Sequence, residues 1–412
     1  MNEYSASAAA PASCPPPGPL DGIRVLDLTN MLAGPYCTRL LADLGAEVIK
    51  IEPVEGDHNR GRRPLRDGHS SFFGHLNCGK KSVVLNLKIA EGLAAALAIA
   101  EQSDIVVENW RPGVAARLGL GYEAVRAIRP DIVYCSVSGF GQSGPDADRP
   151  AYAPIIHAVS GFDLAQVEYQ DEGDESDESD ERPHNTATFT ADVFGGMSAF
   201  AAIQSSLVHR LRTGNGQYID VSLLDSMFNI LAGECQEAQF PTDAKTRVYS
   251  PLKARDGFIV VAPTSQKNFE ALTRVVGHEE WQQDSRFIRT AIREKNWTEL
   301  MALIETWTIA RSSSECERLF MAMGVPCARY QSVREAMVSP QAVARGSFTQ
   351  VEDDVGTYKV PNVPFRMPGL NTLPRRAVPG LGAHTGSVLS GLLGFGSDEV
   401  LACTGVGRTV TA

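Results

Sequence analysis

Between residue 20 and about residue 140 the chain alternates short β-type runs with helical patterns, and this alternation constrains the fold more than any other feature. The β-type runs are Ile23-Arg24-Val25-Leu26, Glu47–Ile51, Ser82–Leu85, Ile105–Glu108 and Ile132–Ser136. Between the first two, Leu40, Leu41 and Leu44 share one helical face, and Gly45 supplies a stop suited to a helix C-cap. A helix around Glu91–Glu101 separates the third run from the fourth. Strands joined through helices pair in parallel, because a parallel neighbour needs a long crossover. The spacing therefore predicts an α/β fold with a Rossmann-like parallel sheet covered on both faces.

Further along, Phe189-Thr190-Ala191-Asp192-Val193-Phe194-Gly195-Gly196 carries a β-type run into a long apolar helix, expected to reach about Leu211. Thr213-Gly214-Asn215-Gly216 turns into a strand at Gln217–Val221, and another helix starts near Ser222. From about residue 242 to 330 the pattern changes to a strand at Phe258–Val261 and helices near 266–276, 297–309 and 313–323. The reading is a flexible arm at 1–19, a large domain at 20–240, a smaller α+β domain at 241–330, and a C-terminal segment at 331–412 that returns to the large domain. A chain of 412 residues is long enough for two cores. The Pro/Gly-rich stretch Tyr358 to Gly382 reads as extended.

Composition narrows the function mainly by exclusion. The run Asp171 to Glu181 accounts for eight of the eleven net negative charges and cannot bury apolar surface, so it reads as a disordered surface loop. The remaining balance gives no reason to expect nucleic acid or an anionic membrane as partner. No apolar run approaches a membrane span. Eight cysteines without a CxxC pair read as free thiols in a reducing compartment, the cytoplasm. The eight histidines form no HxxxH or HExxH pair, so no metal is expected. Gly74-His75-Leu76-Asn77-Cys78-Gly79-Lys80-Lys81-Ser82 nearly matches a P-loop, but Lys81 stands where Ser or Thr must hold magnesium, and a strand follows where a helix should. Lys80 and Lys81 then read as available to a phosphate or as a solvated basic turn. No GxGxxG follows the first strand; Ala33-Gly34-Pro35 sits there instead, where helix amides can meet an anion.

Asp192 has two readings. An Asp at a helix start is commonly an N-cap. The helix dipole also favours its ionised form, and the two glycines that follow let a ligand approach the backbone, which suits a covalent nucleophile.

The segments Pro19-Leu20-Asp21-Gly22-Ile23-Arg24-Val25-Leu26-Asp27-Leu28, Ala33-Gly34-Pro35, Leu44–Glu52, Asn77–Ser82, Val107-Glu108-Asn109-Trp110-Arg111-Pro112-Gly113, Ser138-Gly139-Phe140-Gly141, Arg149-Pro150-Ala151-Tyr152, Ala191-Asp192 and Thr213–Val221 occur in an order that resembles the class III CoA-transferases, the family of formyl-CoA transferase and carnitine CoA-transferase. The resemblance covers roughly residues 19 to 390. It implies an interlocked homodimer whose large domain binds CoA, with acyl-CoA and a small carboxylic acid as substrates and no tightly bound cofactor. Asp192 is then the catalytic nucleophile, attacking the thioester to form a mixed anhydride. By match to the family's CoA-contacting positions, Met31, Leu32 and Ala33 line the CoA entrance. Leu85 and Lys88 flank the adenine and phosphates, with Asn109, Trp110 and Arg117 nearby. Lys88 and Arg117 have a physical rationale in the phosphate charges.

Leu32, Ser138 and Ala153 depart from the family's pattern and set oxalate and formate aside; short dicarboxylates with succinyl-CoA as donor fit the family's range. The alternative is an α-methylacyl-CoA racemase, which moves an α-proton between a histidine and an aspartate. Its histidine falls at Tyr152, a poor base at neutral pH, and His157 is displaced along the chain. Arg60, Arg62, Arg63 and Arg66 are candidate cations for the acceptor acid, or a solvated basic loop.

Overall fold

The computed structural model describes residues 16–168, 188–241 and 249–405, so the acidic run 171–181 and most of the N-terminal arm lie outside the described residues. Two compact units emerge. The larger is built from the chain up to Ala165, from the described residues 188–232, and from Arg345 onward. The other is built mainly from Gly233–Ala344.

In the larger unit, β1 (Arg24–Asp27) and β2 (Glu47–Glu52) are followed by a small hairpin, β3 (Leu65–Arg66) and β4 (His69–Ser70). Then come β5 (Lys81–Val84), β6 (Ile105–Glu108), β7 (Val133–Ser138) and β8 (Gln217–Ser222). Apart from the hairpin, these strands form one six-stranded sheet, wholly parallel, in the order β5-β2-β1-β6-β7-β8. Successive side chains leave opposite faces of a strand, and both sets are apolar here. Val25, Val48, Val107 and Cys135 enter one core; Leu26, Ile49, Val106 and Tyr134 enter the other. The first core is closed by α1 (Ala33–Asp43), by the long helix Thr190–Thr213 and by Leu223–Ile230. The second is closed by helices Ala90–Glu101, Tyr122–Ile128 and Thr385–Leu393.

The strand order reverses between β1 and β6. The chain proceeds outward from β1 to β2 and β5, then returns to β6 and proceeds the other way. At such a switch point the loops leaving adjacent strands diverge, and a crevice opens at the carboxyl ends. The loops concerned are Leu28–Leu32 and Asn109–Pro112.

A buried charge network fixes the first of these loops. The Asp27 carboxylate ends β1 fully buried and accepts from the Thr29 amide at 2.9 Å, from the Thr38 hydroxyl at 2.7 Å and from Lys80 Nζ at 2.9 Å. Lys80 also donates to the Pro35 carbonyl at 3.0 Å and to Asn77 Oδ1 at 2.9 Å. Lys50 Nζ holds the Thr29 carbonyl at 2.8 Å and pairs with Asp57 at 2.9 Å. Burial pushes the Asp27 carboxyl up, but Lys80, Lys50 and the two hydroxyls outweigh it and bring it down to about 2. Burial depresses Lys80 to about 8 in spite of Asp27. Lys80 is therefore structural, not the solvated or phosphate-facing lysine that the near P-loop suggested, whereas Lys81 is partly exposed and pairs with Glu47.

The C-terminal stretch returns to this unit as a hairpin plus a strap. Gly356–Pro361, which overlaps the start of the Tyr358 to Gly382 stretch expected to be extended, pairs antiparallel with Phe348–Asp353. Further on, the Gly382 amide donates to Ser82 Oγ at 2.8 Å and the His384 amide to the Ser82 carbonyl at 2.9 Å, covering edge strand β5. The second unit carries an antiparallel sheet of Leu252–Ala254, Gly257–Val261 and Cys327–Arg329. Ile259, Phe269, Phe287 and Phe320 form part of its core.

Removing one partner of a buried ion pair strands the other, a loss of about 3–5 kcal/mol. Lys80→Met is expected to lower the urea midpoint accordingly, and Lys80→Met with Asp27→Asn to lose less than Lys80→Met alone. Equilibrium unfolding of the two variants checks this.

Candidate active site

The long helix Thr190–Thr213, here α2, begins without a side-chain cap at its N-cap residue Phe189. Asp192 is its third residue, so it is not the N-cap that a sequence reading allows. The cap is supplied from outside: the Ala191 amide donates to Nε2 of the buried His157 at 3.1 Å. Burial lowers the His157 pKa, with Asp163 opposing. An imidazole whose Nε2 accepts a backbone proton is neutral, with its remaining proton on Nδ1.

Asp192 is half-buried, and the backbone of Ala33, the first residue of α1, acts on its carboxyl and lowers its pKa. The start of the Ala33-Gly34-Pro35 segment thus faces this side chain electrostatically. Burial raises the Asp192 pKa from 3.8 to about 6, and the Ala33 amide and the positive charge of Arg62 only partly offset it. The dipole argument for a fully favoured carboxylate is outweighed by desolvation. The two glycines also have a different use from the one expected. A Cβ on Gly196 would lie 2.6 Å from the Ala33 carbonyl, and one on Gly195 would collide with Leu223. They let α2 approach its neighbours closely, and that packing brings Asp192 to the start of α1.

Asp192 opens onto a cavity of about 370 Å³ at the switch point, lined also by Asn30, Met31, Ala33, Asn109 and Trp110. A second cavity of about 460 Å³ holds Leu85 and Lys88 and shares Asn30, Trp110 and Val114 with the first. The loops that line them are locked together. Asn109 Nδ2 donates to the Asn30 carbonyl at 2.7 Å while Asn109 Oδ1 accepts from the Asn30 amide at 2.9 Å. Glu108 Oε2 accepts from the Trp110 amide at 2.8 Å, and burial raises its pKa to about 7. Met31 has φ of 62°, a left-handed conformation that a non-glycine residue adopts only where its surroundings enforce it.

Of the residues singled out by resemblance, Met31, Ala33, Leu85, Lys88, Asn109 and Trp110 line one or both cavities. Leu32 is buried as the N-cap residue of α1 and lines neither; Arg117 is exposed and also lines neither. Tyr152 is 63% exposed and lines the first cavity, whereas His157 does not. Sequence reasoning missed Asn30 and Glu108, whose roles are local hydrogen bonds. It named Ser138 only as a departure from pattern, yet Ser138 ends β7 and lines the same cavity as Asp192, with a buried hydroxyl that meets no partner among the described residues. It also grouped Arg62 with its neighbours. Arg60 is in fact paired with Glu52 and Arg66 with Asp353, while Arg62 stacks on Phe72 and Phe189. No group of His, Cys, Asp and Glu that could hold a metal occurs among the described residues.

The sequence matches the model of CoA-transferase family III over residues 20–385. It is 32% identical to the succinate–glutarate CoA-transferase of Agrobacterium fabrum, covering 91% of this chain and 96% of that protein. It is also 32% identical to the succinyl-CoA:glutarate CoA-transferase of Mus musculus, covering 96% of this chain and 92% of that one. The fold matches a crystal structure of a CaiB/BaiF family protein from Brucella suis with a TM-score of 0.78 and 30% identity, over 91% of this chain and all of the other.

An Asp192 pKa near 6, above its ordinary 3.8, means that the folded state binds a proton more tightly than the unfolded one. Folding stability is then lost as pH rises through the window from about 4 to about 6. Asp192→Asn carries no such charge and is expected to be about 1–3 kcal/mol more stable than the wild type at pH 8, after allowance for solvent screening. The difference should close below about pH 4. Urea titrations at the two pH values measure it.

Proposed function

This chain belongs to CoA-transferase family III, and we propose that it works through a covalent intermediate on Asp192. It transfers CoA between an acyl-CoA and a carboxylic acid. The observation that carries the mechanism is the Asp192 carboxylate facing a cavity at the switch point near the start of α1, with a pKa raised by burial to about 6.

Four displacements complete the exchange. The Asp192 carboxylate attacks the donor thioester carbonyl; the C–S bond breaks, CoA leaves as thiolate, and a mixed anhydride remains. The thiolate attacks the Asp192 carbonyl, releasing the donor acid as its carboxylate. The acceptor carboxylate then attacks the aspartyl thioester, expelling the thiolate and forming a second anhydride. The thiolate finally attacks the acceptor carbonyl, freeing Asp192 and the new acyl-CoA. Thioester energy is held in turn by the two anhydrides and the aspartyl thioester, so water must be kept out. A carboxylate with a raised pKa is a better nucleophile than an ordinary one while still ionised at pH 7.

CoA in this reading lies along the two connected cavities, with Met31, Ala33, Asn109 and Trp110 toward the thioester and Leu85 and Lys88 toward the nucleotide. Arg117 would meet phosphate only at the rim, as an exposed cation. The relatives named for glutarate support a short dicarboxylic acceptor with succinyl-CoA as donor. A second copy of the chain, interlocked with the first, is supported by the exposed apolar stripe of α2: Val193, Phe194, Met197, Val208 and Leu211. Free thiols at the seven described cysteines support a reducing compartment such as the cytoplasm. Proton transfer at an α-carbon, the racemase alternative, finds little support. His157 uses Nε2 on a backbone amide and lines neither cavity, and Tyr152 stands where that chemistry needs a base.

The four steps fix the path of oxygen. An acceptor acid labelled with oxygen-18 in its carboxylate is expected to leave one heavy oxygen on Asp192 per first turnover, read by mass spectrometry of the peptide containing it. Asp192→Ala should abolish new CoA esters. Turnover with no label on Asp192 overturns the covalent route, and deuterium uptake at the α-carbon without CoA exchange overturns the transferase.

A further inference from the structure

Four arginines lie between residues 60 and 66, and their environments differ sharply. Arg60 makes a two-pronged pair with Glu52 at 2.7 Å on each arm and covers the Phe73 ring at 3.9 Å. Arg66 pairs with Asp353 over the Tyr358 ring. Arg63 is exposed. Arg62 is half-buried, its guanidinium carbon 4.4 Å from the centre of the Phe72 ring and 4.6 Å from that of Phe189. Phe189 is the residue before α2, three positions ahead of Asp192.

Contacts of this kind hold a guanidinium near two rings without pairing it to a carboxylate, and its N–H groups form a planar fork that matches one. Among the described residues, no carboxylate pairs with Arg62 at ion-pair distance. Its charge nevertheless acts on Asp192 through space. That balance changes during transfer. An ionised Asp192 partly neutralises the field of Arg62, but Asp192 held as an anhydride or thioester has lost its charge. The positive field then stands uncompensated beside the acyl group, in a setting half removed from water where charge is worth more.

We propose that Arg62, stacked on Phe72 and Phe189, is a subsite for the distal carboxylate of a dicarboxylic acyl group, and that it makes this chain prefer diacids to monoacids. The proposal rests on the transfer reading of Asp192. It places specificity in a residue that lines neither of the cavities assigned to CoA. Because donor and acceptor share Asp192 in turn, the same cation serves the free carboxylate of a succinyl donor and that of the incoming acid.

The test compares glutarate with its monomethyl ester, which keeps length and one reactive carboxylate but removes the distal charge. Wild type, Arg62→Gln and Arg62→Lys are assayed for CoA transfer, and binding of both acids is measured separately by calorimetry on protein that is not turning over. Wild type is expected to favour glutarate. Arg62→Gln should raise KM for glutarate about 10- to 100-fold, the usual loss of one charged hydrogen-bond partner, while changing KM for the ester less than about threefold. Arg62→Lys should restore part of the preference. Equal losses for both acids, with a shifted pH profile of kcat, would mean that Arg62 acts only on Asp192, and would overturn the subsite. Absence of preference in the wild type would overturn it as well. Glutarate binding that depends on Arg62 in a protein that transfers no CoA would keep the subsite and overturn the transferase reading instead. Thermal melts of the variants identify a loss that is merely unfolding, and the lysine variant preserves the charge if glutamine does not fold.

Discussion

The active-site geometry depends on the contact between Asp27 and Lys80. Both groups are fully or nearly fully buried, and each is expensive to remove from water. What the pair gains in return is position. Lys80 ties the end of β1 to the Pro35 carbonyl in the first turn of α1, and Lys50 holds the carbonyl of Thr29 in the intervening loop. The loop can therefore carry the strained backbone of Met31, and α1 can present its first amide in one direction. A solvated or apolar junction would leave that amide free to move, and its effect on the Asp192 carboxyl depends on where it points. Neutralising the network with matched apolar groups could preserve stability, but not the aim of the helix terminus.

In the proposed mechanism Asp192 meets two opposing demands. As a nucleophile it must be ionised; as the carrier of an anhydride it must sit away from water. Burial pushes its pKa up and disfavours the carboxylate. The Ala33 amide and Arg62 pull it back, and about 6 is the outcome. At that value most molecules are ionised at pH 7, yet the charge remains less well solvated than an exposed aspartate. The glycines at 195 and 196 belong to the same compromise. They shorten the distance between α2 and the elements around it, so that Asp192 is held near the start of α1.

The sheet was legible because its signal is local and repeated. Ile105–Glu108 agrees residue for residue with β6, and the other five strands differ by one or two residues at their ends, where strand limits are set by loop hydrogen bonds. β1, β2, β6 and β7 each send apolar side chains into both cores, which is the mark of a strand covered twice. Most of the site could be named only through resemblance, since Met31, Leu85 and Trp110 are far apart in sequence and share a crevice solely because the strand order reverses. The roles of Lys80, Gly195 and Gly196 were not legible. Their chemistry suggests ligands, whereas their actual partners are Asp27, Leu223 and the Ala33 carbonyl, reached through tertiary packing. Arg62 was hidden for the same reason: nothing in a run of four arginines tells which one stacks on Phe189.

The bond between Asn109 and Asn30 explains why two cavities can serve one substrate. A crevice between diverging loops widens easily, because each loop is anchored only at its own strand. Asn109 uses one side-chain amide to satisfy both the N–H and the C=O of Asn30, which ties the β6 loop to the β1 loop as a strand pair would. Glu108 fixes the next residue by accepting the Trp110 amide. Trp110 borders both cavities, so its ring sets the gap between the region holding Lys88 and the region holding Asp192. In the proposed reading, a long substrate bound at its nucleotide end is thereby delivered at a fixed reach. Positioning over that length, more than any single contact, would then make Asp192 a selective nucleophile.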